Sequence, residues 1–382
     1  MKEVYYRNHY LSIFMSNSPL IEKYLQLIDE VVKNHITDLH IGSGDFPYIR
    51  MTNRNVEPVT SFGKLNIDDI VEIICFMNPL LDKEKIQWIT TGNNFIYEND
   101  GTRFRANVSK NQEWVSVALR TIKKDLPTAD GVWLKQNLLK LLHEDRGLIL
   151  ITWGTWSGKT TTLMAMVNYL NENYHKHIIT VEDPIEYVIK NNKSLIHQKQ
   201  VGRHVSTFDQ AIRDAMREDP DILIVGEMRD QETISAVLTL AETGHLVIST
   251  LHTNDVIQAF DRLIYAFPAT MQSQVRIQLA LVLLAVIGQI ILPKKDESGN
   301  LVAREVFINN DSSRNIIMEW NISHLYSVME TGKQDGQVMM QQALIELHKT
   351  NQISNRTLME HIKDPTRLKE YLQDIQDKID ES

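Results

Sequence analysis

Residues Leu148–Leu163 read LILITWGTWSGKTTTL. A short apolar run leads into small and polar residues. Gly158-Lys159-Thr160 then opens a helical pattern over Thr160–Asn171. This is the order of a buried strand, a phosphate loop and a helix. The first N–H groups of such a helix lack intrahelical partners and, with the helix dipole, can receive phosphate oxygens. Lys159 is placed to reach the β- and γ-phosphates of ATP, and the Thr160 hydroxyl to hold Mg²⁺. Gly154, Thr155, Ser157, Gly158 and Thr161 complete the expected cradle.

The loop departs from the pattern G-x-x-x-x-G-K-[ST]. Trp153 stands where the first glycine belongs, Trp156 where related loops often carry another, and Gly154 comes one residue late. If position 156 needs a positive φ, a non-glycine residue there costs about 1–2 kcal/mol. The indoles either crowd the phosphate path or stack on neighbouring surface and leave it open. Taken alone, Gly-Lys-Thr can also be no more than the start of a helix.

Working outward, three more apolar runs end in polar residues. Thr180–Tyr187 reads TVEDPIEY, with Glu182-Asp183 at the end of the strand Ile178–Val181. Carboxylates at the carboxyl end of a parallel strand sit where α/β proteins bind ligands. One can position or deprotonate a water while the other helps hold Mg²⁺, although Asp-Pro is also ordinary turn chemistry. Ile222–Asp230 reads ILIVGEMRD, a strand closing on Gly226-Glu227 in the manner of a Walker B element. Leu246–Asp255 reads LVISTLHTND and places His252 just past a strand end, as a candidate relay or a structural hydrogen-bonding residue. Ser206–Asp209 suggests a capping box for a helix running to about Glu218. Asp230 is the expected cap of Gln231–Thr243, with Gly244 stopping it. Strands alternating with helices predict a parallel α/β sheet.

Before the linker Lys123–Gly131 the pattern is α+β. Ser18-Pro19 begins an amphipathic helix and Leu65–Met77 a second. Asp38–Ile41, Pro47–Met51, Arg103–Val108 and Val115–Ile122 read as strands, with a polar turn at Lys110–Glu113. Arg103, Arg105 and Arg120 are either solvated edge charge or a phosphate clamp, since arginine suits bidentate phosphate contacts. From about Gln337 the chain reads as helical, ending on Leu368, Leu372, Ile375 and Ile379.

Composition limits the alternatives. With 43% hydrophobic and 23% charged residues the 382-residue chain fits a soluble globular protein of two or three domains. A formal charge of −9 gives no case for nucleic-acid binding. Cys75 alone cannot form an internal disulfide. Met1–Asn17 lacks a signal-peptide core. Ile277–Pro293, broken by Gln278, Gly288 and Gln289, is short of a membrane span and reads as a buried helix followed by a strand. A cytoplasmic protein without a transmembrane segment is the expectation.

Together the blocks Gln200–Asp230 and Thr243–Pro268 resemble the PilT-like secretion and pilus ATPases, with the DotB and TraJ proteins of type IVB-like systems nearest within them. The resemblance implies a PAS-like α+β domain over 1–130 and a RecA-like P-loop ATPase domain over 131–382. It further implies a homohexamer that powers inner-membrane secretion, conjugation or pilus machinery. It makes Lys159 and Thr160 Walker A residues, Glu182 the catalytic glutamate and Glu227 the Walker B acid. His245 and His252 fall in a His box. Arg105 and Arg120 match arginines that approach nucleotide as domains close, with Arg203 and Arg217 as further candidates. Ser312-Ser313-Arg314-Asn315 replaces the Ala-Ile-Arg-Asn of retraction members and argues against a retraction motor. If the loop is a phosphate loop, Lys159→Ala abolishes ATP turnover while circular dichroism stays that of the parent; full turnover in the variant would overturn the assignment.

Overall fold

A computed structural model describes residues 18–51, 55–79, 81, 86, 93–110, 114–122 and 125–362. The turn tip at 111–113, linker residues 123–124, the amphipathic ending from Leu368 and the segment Met1–Asn17 lie outside these. The chain divides into two units, Met1–Asp125 with Pro184–Val188, and Leu126–Asp183 with Ile189–Ser382. The short piece Pro184–Val188 thus belongs with the first unit although it lies in the sequence of the second.

The first unit contains a six-stranded antiparallel sheet in the order β3-β2-β1-β6-β5-β4. Its strands are β1 Asp38–Gly42, β2 Tyr48–Arg50, β3 Val56–Pro58, β4 Asn93–Asn99, β5 Thr102–Lys110 and β6 Val115–Ile122. Helix α1, Pro19–Lys33, buries Ile21, Tyr24, Leu27, Ile28 and Val31 at helical spacing. Ser18 stands at its N-cap without a side-chain capping bond; the proline in the first turn sets the entry instead. Helix α2, Ile67–Met77, begins with a capping box between Asn66 and Asp69. Both helices join Leu39, Ile41, Phe104 and Val117 in one core. Cys75 is half-buried against it.

In the second unit, β7 Gly147–Thr152, β8 His177–Glu182, β9 Leu195–Gln200, β10 Ile222–Val225, β11 Leu246–Leu251, β12 Leu283–Pro293 and β13 Asn300–Ile308 form one sheet. Its order is β13-β12-β7-β11-β10-β8-β9. All neighbours are parallel except β12 and β13. Strands β7, β10 and β11 are buried along their whole length, as expected of strands covered on both faces. The helices are α3 Gln136–Leu141, α4 Lys159–Asn173, α5 Phe208–Ala215, α6 Gln231–Glu242, α7 Val256–Ile264, α8 Ala269–Val282, α9 Asp311–Glu319, α10 Leu325–Thr331, α11 Met340–Lys349 and α12 Asn355–His361. The helix-then-strand reading of Ile277–Pro293 corresponds to α8 and β12, but Ile277 and Leu281 are exposed, so the helix is buried on one side only.

One cap differs from the sequence reading. Thr207, not Ser206, caps α5: its extended backbone brings the hydroxyl to the Gln210 amide, and Asp209 pairs with Arg213. The helix ends at Ala215, where bonds to residues three back tighten the last turn. Asp230 caps α6 through the Thr233 amide as expected. At Gly226 any Cβ would stand 3.1 Å from the Val181 carbonyl oxygen, which is why β10 can end so close to β8. In the first unit, Asn66→Ala removes the side-chain half of the capping box, the bond from the Asp69 amide, and leaves the Asp69 carboxylate on the backbone N–H of position 66. It should cost about 1 kcal/mol, read as a lower urea midpoint; an unchanged midpoint would show that the side-chain cap contributes nothing.

Candidate active site

The carboxyl ends of β7, β8, β10 and β11 carry, in turn, the loop Trp153–Gly158, Glu182, Gly226-Glu227 and His252. Parallel pairing puts these ends on one edge of the sheet, the edge where open α/β folds bind ligands. Gly158, with φ 81°, turns the chain into α4. Its Cβ would meet Ile291 at 3.2 Å and Gln289 at 3.4 Å, so the position demands glycine on two counts.

Lys159 is buried, with 7% exposure. Its ammonium donates to the Trp153 and Gly154 carbonyls at 2.7 and 2.9 Å and lies 3.5 Å from His252 Nδ1. Burial pushes its pKa down to about 8, against the pull of Glu227. Burial first, then the Lys159 charge, lowers the His252 pKa, with Glu227 opposing and Arg229 reinforcing. A neutral imidazole is therefore favoured at neutral pH. Its Nε2 lies 3.6 Å from Glu227 Oε2, and Glu227 Oε1 accepts from Arg229 at 2.6 Å. Lysine, histidine, glutamate and arginine thus form one continuous polar chain across three strand ends. Glu182 is buried, its Oε1 accepting from the Thr180 hydroxyl at 2.7 Å and from Gln198 at 3.1 Å.

The site residues fit a nucleotide polyphosphate and Mg²⁺. The Ser157 hydroxyl is buried with no hydrogen-bond partner among the described residues, so the loop holds a polar group that a phosphate would satisfy. Among the described residues no group of three or more His, Cys, Asp or Glu could hold a metal. Mg²⁺ binds through one or two protein oxygens plus substrate phosphates, and the Thr160 hydroxyl and the Glu227 carboxylate are oxygens of that kind. Thr160 and Thr161 lie half-buried in the first turn of α4, and Thr155 is exposed.

Other expected residues are placed differently. His245 sits at the opposite end of β11 from His252, with its ring against the Leu240 carbonyl at the end of α6. Arg203 and Arg217 are exposed. Within the first unit, Arg105 pairs with Glu186 at 3.4 Å and Arg120 with Asp38 at 3.0 Å. Arg103 donates to the Ile185 and Glu186 carbonyls.

The structure adds a residue that motif reading passed over. Gln289, fully buried on β12, donates to the Ser157 carbonyl at 2.8 Å and accepts from the Thr162 hydroxyl at 2.9 Å. It staples the phosphate loop and the first turn of α4 to the neighbouring strand. Arg304 on β13 reaches the same hydroxyl at 3.3 Å and the Val132 and Trp133 carbonyls, with burial lowering its pKa to about 10. The sequence signal for Gln289 was an amide inside an apolar run.

The indoles do not share one environment. Trp153, φ 141°, lays its ring where a Cβ on Gly288 would come within 3.1 Å, and lines a 430 Å³ cavity with Glu305, Tyr326 and Met340. Trp156, φ 72°, is 51% exposed. Each holds a sparsely populated backbone conformation costing a side-chain-bearing residue about 1–3 kcal/mol.

Comparison with known proteins gives this geometry its setting. The model of the type II/IV secretion system protein family matches residues 121–380. The chain belongs to that family. It is a PilT-like ATPase with a RecA-like fold. It is 35% identical to the type IV pilus retractation ATPase PilT of Pseudomonas aeruginosa over 89% of this chain and 98% of that one. With a twitching motility protein of Neisseria gonorrhoeae it shares 42% identity over 64% of this chain and 66% of the relative. A crystal structure of the pilus retraction motor PilT with bound ADP superposes with a TM-score of 0.78 at 37% identity, covering 91% of this chain and 98% of that one. The ATPase DotB of Legionella pneumophila, at 24% identity and a TM-score of 0.73 over 87% and 93% of the two chains, shares the fold.

If Lys159 meets phosphate, the anion favours the ammonium, its pKa in the complex rises above the free value of about 8, and binding takes up a proton between the two. ATP affinity should be flat below about pH 8 and fall by up to about tenfold per pH unit above it. Calorimetric titration across that range tests this; affinity unchanged well above pH 8 would show that the Lys159 charge does not meet phosphate.

Proposed function

We propose that this chain hydrolyses ATP as a hexameric ring of identical copies and uses the cycle to drive a type IV pilus or secretion machine. The observation that carries the reading is the phosphate loop opening α4 at the carboxyl end of β7, with Glu182, Glu227 and His252 on the neighbouring strand ends. In this reading the α4 amides, Ser157 and Lys159 hold the phosphates, and Thr160 with Glu227 holds Mg²⁺, which would neutralise phosphate charge. Glu182, oriented by Thr180 and Gln198, takes the proton of the attacking water. His252 reports the state of Lys159 to Glu227 and Arg229. Arg105 and Arg120 act as the clamp of the first unit, exchanging Glu186 and Asp38 for phosphate oxygens.

Among the machines, alignment over 98% of a pilus retraction ATPase favours a pilus system. The departure at Ser312-Ser313 has a local explanation that removes its weight against retraction: Ser313 is fully buried and completes the capping box of α9 with Asn310. The partners are proposed to be inner-membrane components of the machine, met from the cytoplasm. No helix of the described residues is long and apolar enough to cross a membrane.

A second reading is a non-catalytic ring subunit, favoured by Trp153 and Trp156 in the phosphate loop. Turnover by the purified chain separates the two. Glu182→Gln should retain ATP binding while turnover falls by about 10²-fold or more. Lost binding with normal hydrolysis per bound nucleotide would make Glu182 a binding residue, and a parent chain that binds but never hydrolyses would favour the non-catalytic ring.

A further inference from the structure

Five of the six tryptophans, Trp114, Trp133, Trp153, Trp156 and Trp320, lie among the described residues. Four of the five have a positive φ: Trp133 at 52°, Trp153 at 141°, Trp156 at 72° and Trp320 at 61°. Non-glycine residues adopt such angles a few per cent of the time, and bulky ones are outliers; four of five by chance is on the order of 10⁻⁵. The other non-glycine residues in this region are His35, Asp100, Asp219, Glu297 and Asn351. All five are polar, and three are Asp or Asn, which tolerate left-handed backbone.

The four positions share a backbone requirement and little else. Trp320 follows α9 in the left-handed region, its N–H reaching the Ile316 and Ile317 carbonyls. That is the helix-terminating geometry in which glycine is the usual residue. Trp133 closes a turn, its N–H bonding to Asp130 and the next amide to Ala129. Trp153 and Trp156 shape the phosphate loop, where glycine allows both the angle and close approach of phosphate. The side chains have no common role. Those of Trp133 and Trp156 are about half exposed. Trp153 packs on Gly288. Trp320 meets Tyr265 edge-on at 6.2 Å, with the Arg276 guanidinium 5.3 Å from its ring. Strain kept for function would gather at one site. Here a linker turn and a helix terminus carry it as well as the phosphate loop. A common cause therefore lies in the codon rather than the site.

We propose that the codons behind Trp133, Trp153, Trp156 and Trp320 are read as glycine in the cell that makes this protein. UGA is the codon concerned, since genetic codes that do not use it as a stop assign it to tryptophan in some lineages and to glycine in others. The working phosphate loop then carries glycine at positions 153, 156 and 158, and the turn and the α9 terminus regain the residue their backbones require. Trp114 stands outside the proposal.

Two measurements test it, and neither needs the chain to be a motor. The first reads the gene and the peptide masses of the protein from its own cells. UGA codons with glycine masses at all four positions are expected; a tryptophan mass at any one of the four overturns the proposal. The second compares the chain as written with one carrying Trp133→Gly, Trp153→Gly, Trp156→Gly and Trp320→Gly together. The glycine chain should melt about 10 °C higher and bind ATP at least about tenfold more tightly. A glycine chain that melts no higher would overturn the backbone argument whether or not either chain hydrolyses ATP.

Discussion

Everything at the site turns on one buried ammonium. Lys159 enters α4 with 7% exposure, and a charge taken so far from water must be compensated. Loop carbonyls of Trp153 and Gly154 do part of this. The His252 ring and the Glu227 carboxylate at the ends of adjacent strands add to it. The compensation is incomplete, which is why burial still depresses the pKa. An incompletely compensated cation at a helix N-terminus is a site prepared for an anion.

That arrangement needs a rigid frame, and the sheet order supplies it. Because β7 lies between β11 and β12, the phosphate loop has a functional neighbour on one side and a structural one on the other. His252 comes from the β11 side. Gln289 comes from β12 and ties the Ser157 carbonyl to Thr162. Arg304 extends the tie to β13. The loop is thus braced by an uncharged amide in a dry strand, where a carboxylate would repel phosphate. Glu182 is oriented in a similar way by Thr180 and Gln198.

How far the fold could be read depended on where a strand lies in its sheet. The interior strands β1, β2, β5, β6, β7, β8, β10, β11 and β12 appear in the sequence as alternating or continuous apolar runs. The strands that sequence reading passed over are β3, β4, β9 and β13, and these are the four edges of the two sheets. An edge strand has one neighbour and fewer buried side chains, so its composition need not announce it. β3 is exposed throughout, and β9 buries one residue of six. Helix boundaries were legible where a side chain caps, as at Asp230, and slipped by one residue where Ser206 and Thr207 offered the same hydroxyl.

The sequence by itself determined the phosphate loop, the acidic strand ends at Glu182 and Glu227, and the α/β grammar. Each depends on residues close together in the chain, so local pattern suffices. Only tertiary structure decided which of the strand-end groups meet. His252 joins Lys159 and Glu227 while His245 faces the other end of the same strand, because six residues of β11 separate them. Tertiary structure alone also revealed the Gln289 staple, which spans 127 residues to Thr162. It assigned Pro184–Val188 to the first unit, where Arg103 and Arg105 hold it. Backbone angle likewise cannot be read from a tryptophan in a string of letters. It is set by the turn, loop or helix end into which the chain is folded.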